Sequence, residues 1–225
     1  PVKVTSSLSI AGPISVYGDN ITVSGNLNTS TGGATGTVLL KAMGNITQSS
    51  GIDITTDGAD VIYWSDSDEN NAGYIDFTGS GYDIVTNGGD VILAGGAGTT
   101  LPTGYAHGGT AAEGVNFSIS NTRGKIDARK SSAIGGNIVV RGKTSGTFSG
   151  IYTENMQFFG HDLTLDGMTS STGTNDYAVR LGSSNVYTST NLSQVIDVDN
   201  DLIITAVNAA SNYAGKTLRT GSNPR

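Results

Sequence analysis

The stretch Asp53-Ile54-Thr55-Thr56-Asp57-Gly58-Ala59-Asp60-Val61-Ile62-Tyr63 returns 30 residues later as Asp83-Ile84-Val85-Thr86-Asn87-Gly88-Gly89-Asp90-Val91-Ile92-Leu93. Each copy has the pattern of a short strand, a turn of the form Thr-Asx-Gly-small, an Asp and a second short strand. The pattern predicts that the chain turns the same corner twice, one repeat apart.

Weaker copies of the second half of this unit occur along the chain. They share a small residue, an Asp or Asn, and two aliphatic residues separated by one position, and they lie at 19–23, 136–140, 161–165 and 200–204, with a shorter copy at 44–47. The positions taken as the structural repeat are Asp60, Val61, Asp90, Val91, Asn137, Ile138, Asp162 and Leu163. Such a segment has only two aliphatic side chains on one face, so it is stable only when other segments stack on it.

Stacking predicts an all-β parallel β-helix, or β-solenoid. The expected interior is a column of aliphatic residues, namely Ile54, Val61, Ile84, Val91, Ile138, Val140, Leu163 and Leu165. Coils of roughly 20 to 30 residues at a spacing of ~4.8 Å predict roughly eight to ten coils and a rod about 40 to 50 Å long.

An antiparallel β-sandwich is the alternative, since it also consists of short alternating strands joined by turns. Two observations count against it. A sandwich gives no reason for a strand-turn-strand unit to recur at a fixed offset, and two-residue hairpin signals between longer alternating runs are not prominent.

Composition and charge exclude several classes of protein. Gly, Ser, Thr and Asn supply 104 of the 225 residues, and only 3 Glu stand beside 16 Asp, which excludes a helical bundle. With 12 Lys and Arg and a net charge of −7, the basic surface that nucleic-acid binding needs is missing. No apolar run exceeds four residues, so membrane insertion is not expected.

The whole chain, 1–225, is predicted to be a single β-solenoid segment. Two stretches without alternation are expected as loop insertions, near 95–114 and 167–176. Because the chain starts at Pro1 without a Met, it is expected to be a piece of a longer chain. The absence of Cys excludes disulfides and thiolate metal sites but leaves the cellular compartment open.

Two stretches resemble a known family. They are VIYWSDSDENNAGYI at 61–75, followed by a Thr-Asn-Gly-Gly-Asp-Val strand, and NLNTSTGG at 26–33, which leads through VLLKA into GNIT. Over about residues 14–95 the chain is similar to the filamentous-haemagglutinin-like giant repeat adhesins of bacteria. The resemblance implies a right-handed parallel β-helix in an exported fibrous adhesin, typically moved across the outer membrane by a partner transporter. The amino-terminal secretion domain of that family is not recognisable in this chain.

The predicted function is that of a non-catalytic structural and adhesive segment of a secreted, extracellular fibre at the bacterial cell surface. The expected partners are other copies or neighbouring segments of the same fibre and a host or cell-surface glycan or protein, with no nucleic acid and no membrane insertion. The alternative is a carbohydrate-binding or polysaccharide-degrading β-helix protein. A groove with convergent Asp, Arg or His side chains along one face would favour that alternative.

No catalytic, cofactor-binding or metal-binding residue is predicted. The acidic stretch 66–70 offers oxygen ligands at alternate positions, but Asn71 and Phe77 replace the Gly and Glu of a calcium loop, so it is interpreted as a hydrophilic corner with calcium as the alternative. His107 and His161 are interpreted as structural, and the pair Asp162 and Asp166 as a chance spacing.

One aromatic residue is expected at the surface. Strand alternation buries Tyr63 with Val61 and places Trp64 with Ile62 on the outer face. Trp64 is therefore predicted as a surface contact.

Overall fold

The computed structural model describes residues 1–79, 81–118, 123–130, 134–171, 177–182 and 194–209, together with the backbone of 216–220. Within these ranges the chain winds through seven coils, each with three strands, and equivalent strands of successive coils pair in parallel. The parallel β-helix is confirmed, and the antiparallel sandwich is wrong. Its three sheets contain strands in strict coil order, so sequence repeats lie one above another.

The strands of the first four coils are β1 (Val2–Val4), β2 (Leu8–Ser9), β3 (Ile14–Gly18), β4 (Ile21–Val23), β5 (Leu27–Asn28), β6 (Val38–Ala42), β7 (Ile46–Gln48), β8 (Ile54–Thr55), β9 (Val61–Ser65), β10 (Ile75–Phe77), β11 (Asp83–Val85) and β12 (Val91–Gly95). The remaining strands are β13 (Ala106–His107), β14 (Val115–Phe117), β15 (Gly124–Asp127), β16 (Ile138–Thr144), β17 (Ile151–Thr153), β18 (Met156–Gly160), β19 (Leu163–Thr169), β20 (Val179–Leu181), β21 (Val195–Val198), β22 (Leu202–Asn208) and β23 (Lys216–Thr220).

Each coil contributes one strand to each sheet. Sheet 1 contains β1, β4, β7, β10, β14, β17 and β20, and sheet 2 contains β2, β5, β8, β11, β15, β18 and β21. Sheet 3 contains β3, β6, β9, β12, β16, β19 and β22, after which β23 pairs antiparallel with β22. The first corner joins sheet 1 to sheet 2, the second joins sheet 2 to sheet 3, and the third leads into the next coil.

The 30-residue repeat is the register of two neighbouring coils. Ile54 pairs with Ile84 in sheet 2, and Val61 pairs with Val91 in sheet 3. The same row of sheet 3 continues to Ile138. Every member of the predicted aliphatic column has no exposed surface. Inward-facing residues of successive coils therefore bury one another, which is the main source of stability in such a fold.

Aromatic rings fill the interior of the middle coils. The Phe77 ring lies 5.7 Å from that of Tyr63, 4.8 Å from that of Tyr82 and 4.9 Å from that of Phe117, measured between ring centroids. Phe117 meets Phe158 edge to face at 5.8 Å. The hydroxyl of Tyr63 donates to the side-chain oxygen of Gln48, which satisfies the polar end of a fully buried ring.

Asp and Asn side chains connect the coils at the corners. At the second corner Asp60 Oδ1 accepts the backbone N–H of Asp90 at 2.9 Å, and Asp90 Oδ1 accepts that of Asn137 at 2.7 Å. The series is interrupted at Asn137, whose buried Oδ1 has no hydrogen-bond partner among the described residues. It resumes where Asp162 Oδ1 accepts the N–H of Asp201 at 2.9 Å. These bonds explain the acidic residues before β9, β12 and β19, whereas Pro13 and Thr37 precede β3 and β6.

The seven described coils are fewer than the eight to ten expected. The pairing of Ile75 with Val115 and of Val115 with Ile151 gives coils of 40 and 36 residues. Residues in long corners add no rise along the axis. Seven strands at ~4.8 Å spacing therefore rise only about 30 Å.

The two loop insertions have different outcomes. After Gly95 the chain leaves sheet 3 and enters sheet 1 only at Val115, but Ala106 and His107 within this stretch form β13 against β16. The insertion near 167–176 is placed too early, because residues 167–169 belong to β19 and pair with both β16 and β22. Its later part, 172–176, lies outside the described residues.

Candidate functional site

Unequal second corners create a groove on the outside of sheet 2. In coils 3 and 4 this corner has 5 residues, 56–60 and 86–90, whereas in coil 2 it has 9, 29–37, and in coil 5 it has 10, 128–137. Described residues of these longer corners form two walls, Ser30 and Gly33 on one side and Arg129 and Lys130 on the other, with a depression between them. This depression, which we call the axial groove, runs parallel to the helix axis and has a volume of about 880 Å³.

The floor and near wall of the axial groove are polar. Thr55 and Val85 are paired neighbours on the outer face of sheet 2 and form the floor. Asp57 and Asn87 stand beside them at the corner, where the Asn87 amide donates to Asp57 Oδ1. The near wall is the turn that contains Ser30. The groove thus presents hydroxyl, carboxylate and amide groups from three successive coils.

The far wall carries the cations. Arg129 forms a bidentate salt bridge with Asp127, in which Nε donates to Oδ1 at 2.9 Å and Nη2 donates to Oδ2 at 2.7 Å. Its guanidinium carbon lies 4.0 Å from the centroid of the Phe159 ring, and Nη1 is 3.8 Å from Asp197 Oδ2. Although burial acts in the opposite direction, the Arg129 hydrogen bonds lower the pKa of Asp127. Arg129 is therefore held in place although 42 % of its side chain is exposed.

Lys130 completes the far wall and is exposed. A Cβ built on Gly88 would lie 3.0 Å from Lys130 Cδ, so the lysine stem lies close to the short corner of coil 4. Gly88 has a φ of +109°, which favours glycine there on backbone grounds as well. Within the described part of the chain no carboxylate forms a salt bridge with Lys130. Among the described lining residues, Arg129 is paired with Asp127, so the Lys130 ammonium is the cation that can bind a ligand.

A second, smaller cleft of about 170 Å³ lies at the third corner, under the inserted loop. It is lined by Asp66, Tyr105, His107 and Lys143, among others. The hydroxyl of Tyr105 donates to Asp166 Oδ2 at 3.0 Å, and His107 Nδ1 accepts the N–H of Gly109 at 3.0 Å. We call it the loop cleft, because its polar contacts fasten the loop to the helix.

Burial shifts several ionisations in the loop cleft. It raises the pKa of Asp66 and lowers the pKa of His107, and Lys143 adds to the second effect. Burial and the neighbouring Asp166 raise the pKa of Tyr105 to about 12. Asp66 Oδ1 accepts the backbone N–H of Ala72 at 3.2 Å, so this carboxylate closes its own loop. Burial is the first cause of all three shifts, and each group also has a structural hydrogen bond, so the shifts need no reaction to explain them.

The surface role predicted for Trp64 is wrong. Trp64 does point away from the core, but only 1 % of it is exposed, because the loop after Gly95 covers it. Its indole N–H donates to the carbonyl oxygen of Gly96 at 2.6 Å, and Lys41 Nζ lies 3.5 Å from the ring centroid. With Trp64 covered, all five residues of β9 are buried, the inward-facing ones in the core.

The other residues singled out in the sequence belong to the scaffold. Val61, Val91, Ile138 and Leu163 form one buried row of sheet 3, and the polar repeat positions Asp60, Asp90, Asn137 and Asp162 precede them at the second corner. Asp162 and Asp166 are four residues apart along a strand, a Cα distance of about 13 Å, which is too long for a paired-carboxylate site. His161 donates its backbone N–H to Gly136.

No cluster of three metal-ligating side chains occurs among the residues that the structure describes. In the acidic stretch 66–70, Asp66 caps the loop and Asp68 accepts the amide of Asn70 at 2.9 Å. Asp66 and Glu69 both adopt positive φ, which suits a tight corner. The stretch thus has the geometry of a hydrophilic corner.

The axial groove was not predicted from the sequence. It depends on the difference in length between neighbouring corners, and this difference has meaning only once the register of the coils is known. The one signal available was the contrast between the matched short corners of the repeat and the longer stretches on either side. The alternation Asp127-x-Arg129 gave no indication of a shared wall.

Within the described ranges no helix has the length and apolar character needed to cross a bilayer. Comparisons of the chain with protein family models, with curated proteins and with solved structures find no match. The resemblance to the haemagglutinin-like adhesins therefore stays a prediction from the residues that carry it.

Proposed function

We propose that this chain is a non-catalytic structural and adhesive segment of a secreted bacterial fibre, providing a rigid stalk and a contact surface outside the cell. The observation that carries the proposal is the unbroken stacking of equivalent strands through seven described coils. A fold that grows in one direction by adding coils is suited to reach, because its length is set by the number of repeats.

Rigidity follows from the direction of the hydrogen bonds. Backbone bonds of all three sheets run between coils, along the axis, and side-chain bonds such as that from Asp90 N–H to Asp60 reinforce them at the corners. Bending the axis would stretch many of these bonds together. The stacked aromatic rings of Tyr63, Phe77 and Phe117 resist the same deformation inside the core.

The polar groups that could suggest catalysis already have structural roles. Asp162 accepts two hydrogen bonds from the next coil, Asp166 accepts the Tyr105 hydroxyl, and Asp66 closes a loop. His107 accepts a backbone N–H. These hydrogen bonds support a role in which the chain does not catalyse a reaction. The partners proposed are neighbouring segments of the same fibre and a surface glycan or protein.

Two measurements test this proposal. A force probe that presses the folded chain across its helix axis should find it stiff, and incubation with a panel of polysaccharides should release no new reducing ends. A chain that bends easily under the probe would contradict the stalk, and release of reducing ends or unsaturated sugars would contradict the non-catalytic role.

Carbohydrate binding is the second candidate function, and the axial groove specifically favours it. Asp57, Asp127 and Arg129 converge along one outer face of the helix, together with Lys130. Such convergence along one face is expected of a carbohydrate-binding β-helix and not of a plain stalk. The two roles are compatible, since a stalk can carry a binding site on its side.

A further inference from the structure

We infer that the axial groove binds a neutral oligosaccharide lying parallel to the helix axis. The inference rests on the proposed adhesive function only for its biological setting, since it assigns a ligand class to the contact surface. The evidence for the ligand class is the shape, the polar groups and the charge of the groove.

The shape suits a short chain of rings. The walls belong to coils 2 and 5, which are three coil spacings apart, roughly 14 Å along the axis. The floor between them is a flat strip of sheet, where Thr55 and Val85 occupy equivalent positions of neighbouring coils. A volume of about 880 Å³ is within the range of small-ligand sites. The long dimension follows the axis, so an elongated ligand fits best in that direction.

The polar groups of the groove suit hydroxyls. Lys130 and Arg129 donate only, Asp57 accepts only, and Thr55 and Asn87 do both. A sugar hydroxyl donates one hydrogen bond and accepts others, so a surface with closely interspersed donors and acceptors satisfies it from both sides. The side chain of Val85 and the stem of Lys130 add apolar contact for the carbon–hydrogen faces of a ring.

The charge of the groove favours a neutral ligand. Asp127 neutralises Arg129 through two hydrogen bonds, which leaves Lys130 and Asp57 as one charge of each sign. A polyanion would meet the carboxylates of Asp57 and Asp127, and the chain as a whole carries a net charge of −7. A polycation would meet Lys130 and Arg129. Only a neutral chain meets no repulsion at either end of the groove.

A peptide is disfavoured as the occupant. The strands under the groove, β8 and β11, are paired on both sides, so they offer no free edge for an added strand. Val85 is the only aliphatic side chain among the described lining residues, and no aromatic ring lines the groove. Protein interfaces depend on buried aromatic or large apolar anchors, which this surface lacks.

The groups are held in place before a ligand arrives. Arg129 is fixed by Asp127 and by the Phe159 ring, and Asn87 is hydrogen-bonded to Asp57. Preorganisation lowers the entropic cost of binding. Without an aromatic platform we expect an affinity on the order of 1 mM for one site. Repetition along a fibre would raise the avidity of such a site without any new contact.

The test is a titration of the folded chain, labelled with nitrogen-15 and followed by amide NMR, with hexasaccharides of glucose, mannose and xylose as neutral probes. A trigalacturonate and a heparin-derived hexasaccharide serve as acidic probes, and a soluble hexapeptide serves as the peptide probe. We expect shifts with at least one neutral probe, confined to the residues of the axial groove. Absence of shifts with every neutral probe at about 10 mM would overturn the inference.

Three variants locate the site. Asp57→Ala and Lys130→Met should each weaken binding by about five- to tenfold, since each removes a charged hydrogen-bonding group. Thr55→Tyr should abolish binding by filling the floor. Matched controls at exposed or outward positions elsewhere, Asp19→Ala, Lys3→Met and Thr22→Tyr, should leave binding unchanged.

Each of the other results overturns the assignment. Binding of acidic probes alone, or of the peptide alone, would assign the groove to a different ligand, and neutral-probe binding that survives Thr55→Tyr would place the site elsewhere. Circular dichroism and thermal midpoints equal to those of the parent chain exclude misfolding of a variant. The groove variants should keep the mechanical resistance of the parent chain, so failure of the binding site and failure of the stalk are distinguishable.

Discussion

The indole N–H of Trp64 donates a 2.6 Å hydrogen bond to the carbonyl oxygen of Gly96, which joins strand β9 to the loop that leaves the next coil. The ammonium of Lys41 lies over the ring, 3.5 Å from its centroid. A large aromatic side chain thus fastens an insertion to the outside of the helix, so sheet 3 is covered on both faces at this point.

The burial of Trp64 gives a direct spectroscopic prediction. Trp64 is the only tryptophan of the chain and is 1 % exposed, so its fluorescence should be shifted to the blue and resist quenching by acrylamide. Trp64→Ala should lower the free energy of unfolding by about 3 to 5 kcal/mol. Trp64→Phe should cost less, since it keeps much of the packing and loses the hydrogen bond. Strong quenching in the folded chain would contradict the cover provided by the loop.

Much of the fold could be predicted because the repeat is simple. The pair Val61 and Val91, 30 residues apart, specifies a register, and alternation then specifies which side chains face inward. Trp64 shows that alternation alone does not predict exposure to solvent. Alternation gives the direction of a side chain, but whether an outward side chain meets solvent depends on distant segments, in this case the loop after Gly95.

The axial groove could not be predicted for a related reason. Its floor, at Thr55 and Val85, lies within the predicted repeat, but its depth comes from the longer corners of the coils on either side. Corner length does not alter alternation or composition. The position of Arg129 also depends on Phe159 in the next coil, and no local pattern in the sequence reports that contact.

Val139 and Val140 provide a matched test of the inward row. They are adjacent in β16, where Val140 is fully buried and Val139 faces outward. Val140→Ala should lower the free energy of unfolding by roughly 1.5 to 3 kcal/mol, because it removes buried methyl groups and leaves a void. Val139→Ala should cost less than about 1 kcal/mol. Urea unfolding measures both, and equal costs would contradict the assigned faces.

Asp60 tests the hydrogen bonds between coils. Its Oδ1 accepts the N–H of Asp90 at 2.9 Å, so Asp60→Ala should lower the free energy of unfolding by about 1 to 2 kcal/mol. Asp60→Asn keeps an oxygen that can accept this bond, so this variant should stay close to the parent chain. If both variants are equally destabilised in urea, the side chain acts by some means other than this bond.

Acidification should destabilise the chain through His107. Burial and Lys143 lower its pKa in the folded state, so the unfolded chain takes up a proton first as the pH falls below the ordinary value of 6.5. The stability due to neutral His107 is therefore present above pH 6.5 and is lost as the pH falls through the lowered pKa. Unfolding free energies at about pH 7 and about pH 5 should differ less in His107→Gln than in His161→Gln. Asp66, whose raised pKa acts in the opposite direction, is common to both variants and cancels in the comparison. An equal loss in the two variants would show that His107 does not resist protonation.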